Sequence, residues 1–482
     1  MRILLLSPPI APFRLGSVLL KTRCWQPYSL AIVAAGLEER GHSVELLDAH
    51  ALGWSAQRTV EEVAARSYDA LIYSSARHDA WELPTPSFEF IFEFFKNLEG
   101  RRNAEARFVI EGPHGTLEPA RILQQIPYLD YVVRHEPEAP LLELFDAWGD
   151  EARIAAVGDL SWRDRSGEIH HNSDAKPLED LDRLPMPAYH LLPMDRYREH
   201  GGNEERFAIV VTSRGCPMPC GYCFKEMFGA KLRFRSVAKV IEELQLLTSQ
   251  YSVTRVYFHD QIFTLNRRRT HELLEAMIAA GLPAKLSWRC QTRLNGIKED
   301  TLLLMRRAGC VEVQTGLESA AQAIQERLLK LDLEEFLKLR AFGERIGLLI
   351  SPNNVIGLPG ETLETAMESL RFYHRLGIPY APNFHFPYPT TPFWRAARAS
   401  GEIGDGSFEA IGERVGRVAN ALSDGDLATL HAECARWNRR LRWKQRLWRW
   451  RGRTFGSLVP ERDRGARDPL RGTGAAAERA AR

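Results

Sequence analysis

The chain has 482 residues, of which 44% are hydrophobic and 26% are charged, and its formal net charge is +2 at pH 7. This length predicts about two or three domains, and the composition is typical of a soluble globular protein rather than a disordered chain. The nearly balanced charge gives no reason to expect nucleic acid as a partner. No run of residues reaches the roughly 20 apolar positions that cross a bilayer, which argues against a membrane-spanning protein.

The N-terminal segment and the cysteines indicate a reducing compartment. The apolar run after Met1 is short and is broken by Pro8 and Pro9, so we interpret it as a buried strand rather than an export signal. The chain has seven cysteines, three of them within eight residues, which favours a metal site over a disulfide framework. We therefore expect the protein in the cytoplasm.

Strand-like and helical segments alternate over the first 150 residues. Strands are predicted at 3–6, 44–47, 70–74, 108–110 and 131–134, and helices at 28–40, 60–66, 88–98 and 139–148. This alternation predicts a doubly wound, Rossmann-like α/β domain over 1–150, with ligands at the carboxyl ends of its strands. The loops at those ends are 7–9, 48–53, 74–76, 111–116 and 135–138.

A second alternating series follows a polar, proline-containing linker predicted at 151–202. Its strands are predicted near 207–212, 255–259, 287–291, 311–314, 351–356 and 382–386, and its helices at 237–249, 267–280, 299–308, 334–346 and 363–376. This series predicts a partial (β/α)6 barrel over 203–400, with its active site at the C-terminal ends of the strands. A helical extension over 401–459 and a disordered tail over 460–482 are expected to follow.

Three cysteines, Cys216, Cys220 and Cys223, lie on one loop directly after the first predicted barrel strand. Three thiolates on one loop can hold three irons of a 4Fe–4S cubane and leave the fourth iron open. Zinc is the alternative, but it normally takes four ligands, and the spare thiols of this domain, Cys290 and Cys310, lie in apolar strands. We therefore do not assign Cys290 or Cys310 to the cluster.

The Cys-x3-Cys-x2-Cys spacing, with an aromatic residue before the last cysteine, resembles the radical S-adenosylmethionine (SAM) superfamily. The resemblance continues through segments 233–236, 258–264, 289–293, 314–319 and 357–362. It implies that the open iron chelates SAM, and that reduction by a low-potential donor such as flavodoxin or ferredoxin releases a 5′-deoxyadenosyl radical.

The resemblance also implies roles for three residues near the cysteine loop. Tyr222 would contact the adenine, and Arg293 and Glu318, at the ends of two strands, would hold the carboxylate or ribose of SAM. An arginine fork suits a carboxylate, and a glutamate accepts hydrogen bonds from ribose hydroxyls. The alternative is a structural ion pair between Arg293 and Glu318 across neighbouring strands.

A doubly wound domain before such a barrel resembles the cobalamin-binding class of these enzymes, the class B, methyltransferase-like type. The matching segments are 8–9, 27–30, 34–38, 41–48, 74–75 and 112–114. In that class the corrin lies over the carboxyl edge of the sheet, where small residues admit its nucleotide loop. The residues expected to bind cobalamin are Asp48, Ser74, Ser75, Gly112, Pro113 and His114.

Two features depart from this class. The class often has Arg-Gly-Glu-x-Glu after the fifth strand, whereas this chain has His135 in the glycine position and Pro137 between the two glutamates. In addition, Asp48, His50 and Gly53 match the Asp-x-His-x-x-Gly pattern whose histidine ligates cobalt in methionine-synthase-like domains. That pattern belongs after the first strand, so we expect no cobalt ligation by His50. The further alternative is a remnant domain that holds no cobalamin.

Residues 436–453 contain nine basic residues, four tryptophans and no acid. On a helix, the apolar and basic side chains separate onto opposite faces, as in helices that lie on anionic membranes. The apolar face would hold Trp437, Leu441, Trp443, Leu447, Trp448 and Trp450. We expect peripheral contact with the inner face of a membrane; packing on the barrel and nucleic-acid contact are the alternatives.

These features together predict a cobalamin-dependent radical SAM enzyme with three cofactors: a 4Fe–4S cluster, SAM and cobalamin. The reaction expected is methyl transfer from methylcobalamin to an unactivated carbon of a lipid, tetrapyrrole or other natural-product intermediate. Ring formation, ring contraction or oxidation with the same cofactors is the first alternative. A binding protein with an inactive cluster site is the second, and the intact cysteine motif argues against it.

Overall fold

The computed structural model describes residues 1–9, 13–15, 18–20, 24–75, 87–199, 205–328, 332–380, 382–404 and 420–450. Within them, seven strands of the N-terminal part form one sheet in the order β4-β1-β5-β6-β7-β8-β9. These strands are β1 (Arg2–Ser7), β4 (Ser43–Asp48), β5 (Ala70–Ser74), β6 (Arg107–Glu111), β7 (Tyr131–Val133), β8 (Leu160–Arg163) and β9 (Ile169–His171). A separate hairpin consists of β2 (Phe13–Leu15) and β3 (Val18–Leu20).

The five strands predicted for the N-terminal domain are all present and pair in parallel. The strand order reverses between β1 and β5, and doubly wound sheets bind ligands at the carboxyl ends of the strands at such a point. Helices cover the sheet: α1 (Tyr28–Glu39), α2 (Ala56–Ala64), α3 (Glu89–Leu98), α4 (Pro113–Leu117), α5 (Pro119–Gln125), α6 (Glu138–Asp146) and α7 (Glu151–Ile154). The predicted doubly wound architecture is confirmed.

The period of two along the strands explains why both faces of this sheet are covered. Leu5 and Ile72 belong to the apolar core under α1 and α6, whereas Leu4 and Leu71 belong to a second core under α3. Strands that are buried on both faces contain nearly continuous apolar runs, as β1 does. The first of the two cores continues without interruption into the second half of the chain.

The prediction of a linker over 151–202 is wrong for residues 160–171, because this part contains β8 and β9. These strands extend the N-terminal sheet, β8 antiparallel to β7 and β9 antiparallel to β8. Leu160 and Trp162 are buried and alternate with polar residues, a short pattern that the surrounding turns obscure in the sequence. The sheet therefore continues past the expected domain boundary at residue 150.

The second half contains six parallel strands in sequential order, as predicted for a partial barrel. They are β10 (Phe207–Val210), β13 (Arg255–Phe258), β14 (Ser287–Thr292), β15 (Cys310–Glu318), β16 (Leu349–Ile356) and β17 (Asn383–Phe384). The outer helices are α8 (Val237–Gln250), α9 (Arg267–Ala279), α10 (Glu299–Arg307), α11 (Gln322–Leu328), α12 (Leu333–Ile346), α13 (Leu363–Leu376) and α14 (Pro392–Ala399). A small antiparallel hairpin of β11 (Ser213–Arg214) and β12 (Arg233–Phe234) frames the cysteine loop.

The last described helix, α15 (Asp424–Trp450), packs on α13 through its first half. Trp437 and Leu441 are buried, and the Trp437 indole Nε1 donates a hydrogen bond to the Ile378 carbonyl at 2.9 Å. The predicted membrane-facing role is therefore wrong for these two residues, because they contact the barrel. Residues 405–419 and 451–459 of the predicted extension, and the predicted tail at 460–482, lie outside the described residues. Among the described helices, none is both long and apolar enough to cross a membrane.

A buried ion network joins the N-terminal domain to the hairpin beside the cysteine loop. The Arg214 guanidinium lies 2.8 Å from a carboxylate oxygen of Glu136 and also donates to both oxygens of Glu138. Arg233 binds the same Glu136 carboxylate and donates to the Phe228 carbonyl. Burial lowers the pKa of Arg214, but the carboxylates of Glu138 and Glu136 raise it by more than burial lowers it. The net shift is upward, so the guanidinium stays charged.

We expect Arg214→Met to lower the thermal unfolding midpoint by several degrees. Removing one partner of a buried ion pair costs about 3–5 kcal/mol, because the other charge stays buried and unpaired. Lys239→Met is the matched control, since Lys239 pairs with Glu242 on the exposed surface of α8. Such exposed pairs contribute about 1 kcal/mol or less. Calorimetry at one scan rate compares them, and equal midpoints for the two variants would contradict a stabilising role of the network.

Candidate active site at the carboxyl ends of two sheets

The cysteine loop has a shape that its own backbone fixes. Gly215 has φ +88°, and a Cβ atom there would collide with the Lys231 carbonyl, so only glycine fits. The Cys216 amide donates to the Gly229 carbonyl at 3.2 Å, and the Cys223 amide donates to the Cys220 carbonyl at 3.2 Å. The loop is therefore held at both ends, with Cys216 buried and the other two thiols partly exposed.

The thiols lie in a setting that suits a cluster. Burial raises the pKa of Cys216, while the nearby charges of Lys225 and Arg293 lower it. Because metal ligands must be deprotonated, these two cations favour the bound form of the site. The charge of Arg293 acts on the Cys216 thiol, so this predicted SAM-binding residue lies near the cysteine loop.

The spacing of the thiols argues against the zinc alternative. Two groups among the described residues bring all their ligand atoms within 4.8 Å of one another: one with His135, Asp159 and Asp174, and one with Asp164, Glu168 and His170. The three cysteines do not form so tight a group. A cubane presents a different iron to each thiolate, so its ligands need not converge on one point. The arrangement fits a 4Fe–4S cluster.

Two of the predicted SAM-binding residues touch each other at the barrel mouth. The Tyr222 hydroxyl donates to Glu318 Oε1 at 2.8 Å. Glu318 ends β15 with φ +63°, a backbone conformation that is uncommon outside glycine, and Asn354 donates to its carbonyl at 2.6 Å. The strained position directs the Glu318 side chain to the tyrosine of the cysteine loop.

Phe393 at the start of α14 forms a second wall of this mouth. Its amide donates to the Gly221 carbonyl at 3.0 Å, and its ring packs so closely on Gly221 that a Cβ atom there would collide with it. The Phe393 ring centre lies 6.4 Å from that of Tyr222. A glycine before the aromatic residue of the motif therefore lets α14 close over the cysteine loop.

His385, which follows β17, is a residue that the sequence analysis missed. It is 3% exposed, and its ring lies 5.8 Å from the Phe393 ring. Neither ring nitrogen has a hydrogen-bond partner of normal geometry among the described residues, and the Gly357 backbone lies near the ring. Burial lowers the pKa of His385 to about 4, so the imidazole is neutral and retains one donor and one acceptor. The sequence signal that could have identified His385 was its position at the end of the last barrel strand.

The predicted cobalamin-binding residues gather at the carboxyl edge of the N-terminal sheet. Gly112 has φ +103° and directly precedes α4. The Ser75 amide donates to the Glu111 carbonyl at 2.9 Å, and the His114 amide lies 3.4 Å from the Ser75 hydroxyl. Ser74 ends the adjacent strand. These small residues leave backbone close to the edge, as binding of a large flat cofactor requires.

Asp48 and His114 are less available than predicted. The Asp48 carboxylate accepts hydrogen bonds from the Tyr197 hydroxyl at 2.7 Å and from the Ala51 amide at 3.1 Å, so it stabilises its own loop. The His114 ring is buried with its centre 4.9 Å from Phe88 and 5.3 Å from Phe90. A cofactor at this edge would meet the backbone of 112–114 rather than the imidazole.

His135, in the position where the class has glycine, has φ +53°. The left-handed conformation explains the glycine of the class pattern, because a side chain there is strained. The His135 Nδ1 lies 2.8 Å from the Glu226 carbonyl, in the segment that follows Cys223. This departure therefore adds a contact between the two domains beside the ion network.

Comparison with known proteins identifies both domains. The radical SAM superfamily profile matches residues 210–373, and the B12 binding domain profile matches residues 21–145. An uncharacterised methyltransferase of Pyrococcus horikoshii is 31% identical over 384 residues, which cover 78% of this chain and 79% of that protein. The chain belongs to the radical SAM family that carries a B12 binding domain. The cofactors of the family are a 4Fe–4S cluster, SAM and cobalamin.

Other relatives differ in their reactions. The anaerobic magnesium-protoporphyrin IX monomethyl ester cyclase of Cereibacter sphaeroides is 29% identical over 403 residues, 79% of this chain and 62% of that protein. The cytidylyl-2-hydroxyethylphosphonate methyltransferase of Streptomyces wedmorensis is 27% identical over 433 residues, 80% of this chain and 79% of that protein. The family thus includes methyltransferases and cyclases.

Solved structures agree with the fold. The radical SAM methyltransferase TsrM from Kitasatospora setae, with cobalamin and a 4Fe–4S cluster bound, has a TM-score of 0.64 at 18% identity and covers 83% of this chain and 75% of its own. The cobalamin-dependent enzyme OxsB, with aqua-cobalamin and SAM bound, has a TM-score of 0.61 at 16% identity and covers 86% of this chain and 55% of its own. At these identities the likeness concerns the fold.

We expect the anaerobically reconstituted protein to hold about four irons and to absorb broadly near 400 nm, a band typical of thiolate-bound clusters. Replacing Cys216, Cys220 and Cys223 together by alanine should remove both, because these thiols are the predicted iron ligands. The control is Cys434→Ala, since Cys434 is a buried thiol of α15, away from the loop. Iron analysis and absorbance decide the outcome: retention of full iron and colour in the triple variant would refute the assignment.

Proposed function

We propose that this enzyme methylates an unactivated carbon of a small molecule, using SAM, a 4Fe–4S cluster and cobalamin. The observation that carries the proposal is the contact between the two cofactor-binding edges. Glu136 and Glu138, at the carboxyl edge of the N-terminal sheet, bind Arg214, two residues before Cys216. A substrate between these edges would meet both cofactors at once.

Further contacts support the same juxtaposition. The Thr116 hydroxyl lies 3.4 Å from Met227 Sδ, and Leu117 packs against the apolar cluster of Phe224, Met227 and Phe228. The loop after β6 thus contacts the segment that follows Cys223. Because both loops carry the residues predicted for the cofactors, the space between them is the natural place for the reaction.

The cofactors would supply hydrogen-atom abstraction and methyl transfer. In the balanced reaction, the substrate R–H, two SAM cations and two electrons give R–CH3, 5′-deoxyadenosine, methionine and S-adenosylhomocysteine. A low-potential donor such as flavodoxin or ferredoxin would supply the electrons. The residues of this chain would bind and orient: Tyr222, Glu318 and Arg293 around SAM, and Phe393 and the buried His385 in excluding water.

Ring formation is the second candidate, because cyclases are among the relatives. The substrate class proposed is a lipid, tetrapyrrole or other natural-product intermediate. Hopanoid C-2 methylase of Rhodopseudomonas palustris, 25% identical over 46% of this chain, supports a lipid-like substrate, and the cyclases support a tetrapyrrole. The apolar walls formed by Phe393 and Phe224 are compatible with either.

The product ratio distinguishes the two candidates. With substrate and a low-potential reductant, we expect one S-adenosylhomocysteine and one 5′-deoxyadenosine for each methylated product, because the two SAM molecules have different fates. Quenched reactions analysed by liquid chromatography and mass spectrometry measure all three. The reaction without reductant is the control and should give no deoxyadenosine. Deoxyadenosine without methylated product or S-adenosylhomocysteine would favour ring formation or oxidation.

We also propose peripheral binding to an anionic membrane through the basic part of α15. Each basic residue near an anionic surface contributes up to about 1 kcal/mol, and the effect fades within a Debye length. Trp437 and Leu441 contact the barrel, so we assign the proposed membrane contact to the basic residues that follow Leu441 in the sequence.

Changing Arg442, Arg446 and Arg449 together to glutamine should weaken binding to anionic vesicles by up to about 100-fold in low salt. The matched control removes three exposed charges elsewhere on the barrel helices, at Arg267, Lys338 and Arg345. Vesicle sedimentation at rising salt measures both, and binding of the natural chain should fall as salt rises. Equal sedimentation of the two triple variants would show that this segment is not a membrane anchor.

A further inference from the structure

Four polar side chains end four neighbouring strands of the N-terminal sheet. Ser7 of β1 pairs with Asp48 of β4, and Ser74 of β5 pairs with Glu111 of β6. Ser7 and Ser74 are themselves neighbours, because the residues before them pair across β1 and β5. All four are buried. They form a continuous row across the carboxyl edge, and we call it the polar row.

The polar row lies on one face of the sheet. Side chains alternate along a strand, so residues two positions apart share a face. Two positions before Ser7, Ser74 and Glu111 are Leu5, Ile72 and Val109, which belong to the core under α1 and α6. The polar row therefore caps this apolar core at the ligand-binding edge, where the strand order reverses.

The members of the polar row differ in their hydrogen bonds. Asp48 is satisfied by Tyr197 and by the Ala51 amide. In contrast, the Ser7 hydroxyl and both carboxyl oxygens of Glu111 lack a hydrogen bond of normal geometry in the described part of the chain, although the Ser74 hydroxyl lies close to Glu111. A buried polar group without a partner costs about 1–3 kcal/mol, so such a group points to a ligand. Glu111 is 1% exposed and is the largest such group at this edge.

The protonation state of Glu111 follows from its surroundings. Burial raises the pKa of Glu111 to about 8, the nearby Ser74 hydroxyl opposes this shift, and the negative charge of Glu138 adds to it. Glu138, at the start of α6, is paired with Arg214 of the β11 hairpin. The imidazole of His114 on α4 turns to Phe88 and Phe90 on the other side of the sheet. At neutral pH, Glu111 is therefore an uncharged acid with one O–H to donate.

We propose that Glu111 binds cobalamin as a neutral hydrogen-bond donor, with Ser7 as its companion in the polar row. The corrin and its nucleotide loop carry amide and phosphate groups that accept hydrogen bonds, which matches a protonated carboxyl group. The inference rests on cobalamin binding by this domain. It adds two residues that the glycine and serine pattern of the class does not indicate.

The test is cobalamin affinity rather than turnover. The full chain, purified without cobalamin, is titrated with hydroxocobalamin between pH 6 and 9.5, and bound cobalamin is measured by absorbance after gel filtration. Above about pH 8, ionisation of Glu111 should weaken binding of the natural protein by up to about tenfold per pH unit. Glu111→Gln keeps a neutral donor and should bind nearly as the natural protein does at pH 7, with no such decline.

Glu111→Ala should bind at least about tenfold more weakly at pH 7, and Ser7→Ala should lose a smaller factor. Asp130→Asn is the matched control. Asp130 is a largely buried carboxylate with a raised pKa, but it lies at the amino edge of the same sheet, bound to Arg107 and the Phe108 amide. It should keep the affinity and the pH profile of the natural protein.

The outcomes separate this inference from the proposed function. If the natural protein binds no cobalamin at any pH, the proposed function and this inference both fail. If it binds cobalamin but Glu111→Ala binds equally well, or if Glu111→Gln keeps the same decline above pH 8, the role of Glu111 alone is refuted. Glu111→Gln preserves the size and the hydrogen-bonding capacity of the side chain. If the alanine variant fails to fold, the pH profile of the glutamine variant therefore still decides the question.

Discussion

The position of Arg214 between two carboxylates is the constraint on which the geometry of this enzyme depends. Its guanidinium is 5% exposed and binds Glu136 and Glu138, which belong to the other domain. Isolated in the interior, any of these charges would be very costly, so the network exists only when both domains are docked in one orientation. Cys216 follows Arg214 by two residues, so this orientation also fixes the distance between the cysteine loop and the N-terminal sheet.

Other buried contacts fix the same orientation at a distance from the network. Both ends of the Gln26 amide bind the first barrel strand, at the Phe207 carbonyl and the Ile209 amide. The Tyr28 hydroxyl contacts Glu243 of α8, which in turn pairs with Arg235. Hydrogen bonds are directional and fall off within a fraction of an ångström, unlike apolar packing, which tolerates sliding. The domains therefore form one scaffold, as a substrate that must reach two cofactors requires.

Local patterns predicted what depends on local sequence. The strand and helix order and the cysteine loop follow from periodicity and spacing, and the structure agrees with them. The Arg214 network was not predictable in this way, because its partners are 76 and 78 residues apart in sequence. Glu111 and His385 look like ordinary polar residues at strand ends, and only their burial without hydrogen bonds of normal geometry to the described residues reveals them. The amphipathic pattern around Trp437 was recognised, but a pattern does not say which apolar surface it meets.

The docking of α15 on the barrel limits how the protein can be shortened. The Trp437 indole packs edge-on against the His374 ring of α13 at 3.8 Å, and Asn438 binds both the amide and the carbonyl of Tyr380. Tyr380 in turn donates to Asn354, which holds the Glu318 backbone. A chain cut before Trp437 would thus lose support for a residue at the barrel mouth, whereas a chain that ends after Leu441 keeps it. A chain shortened for crystallisation should therefore end no earlier than Leu441.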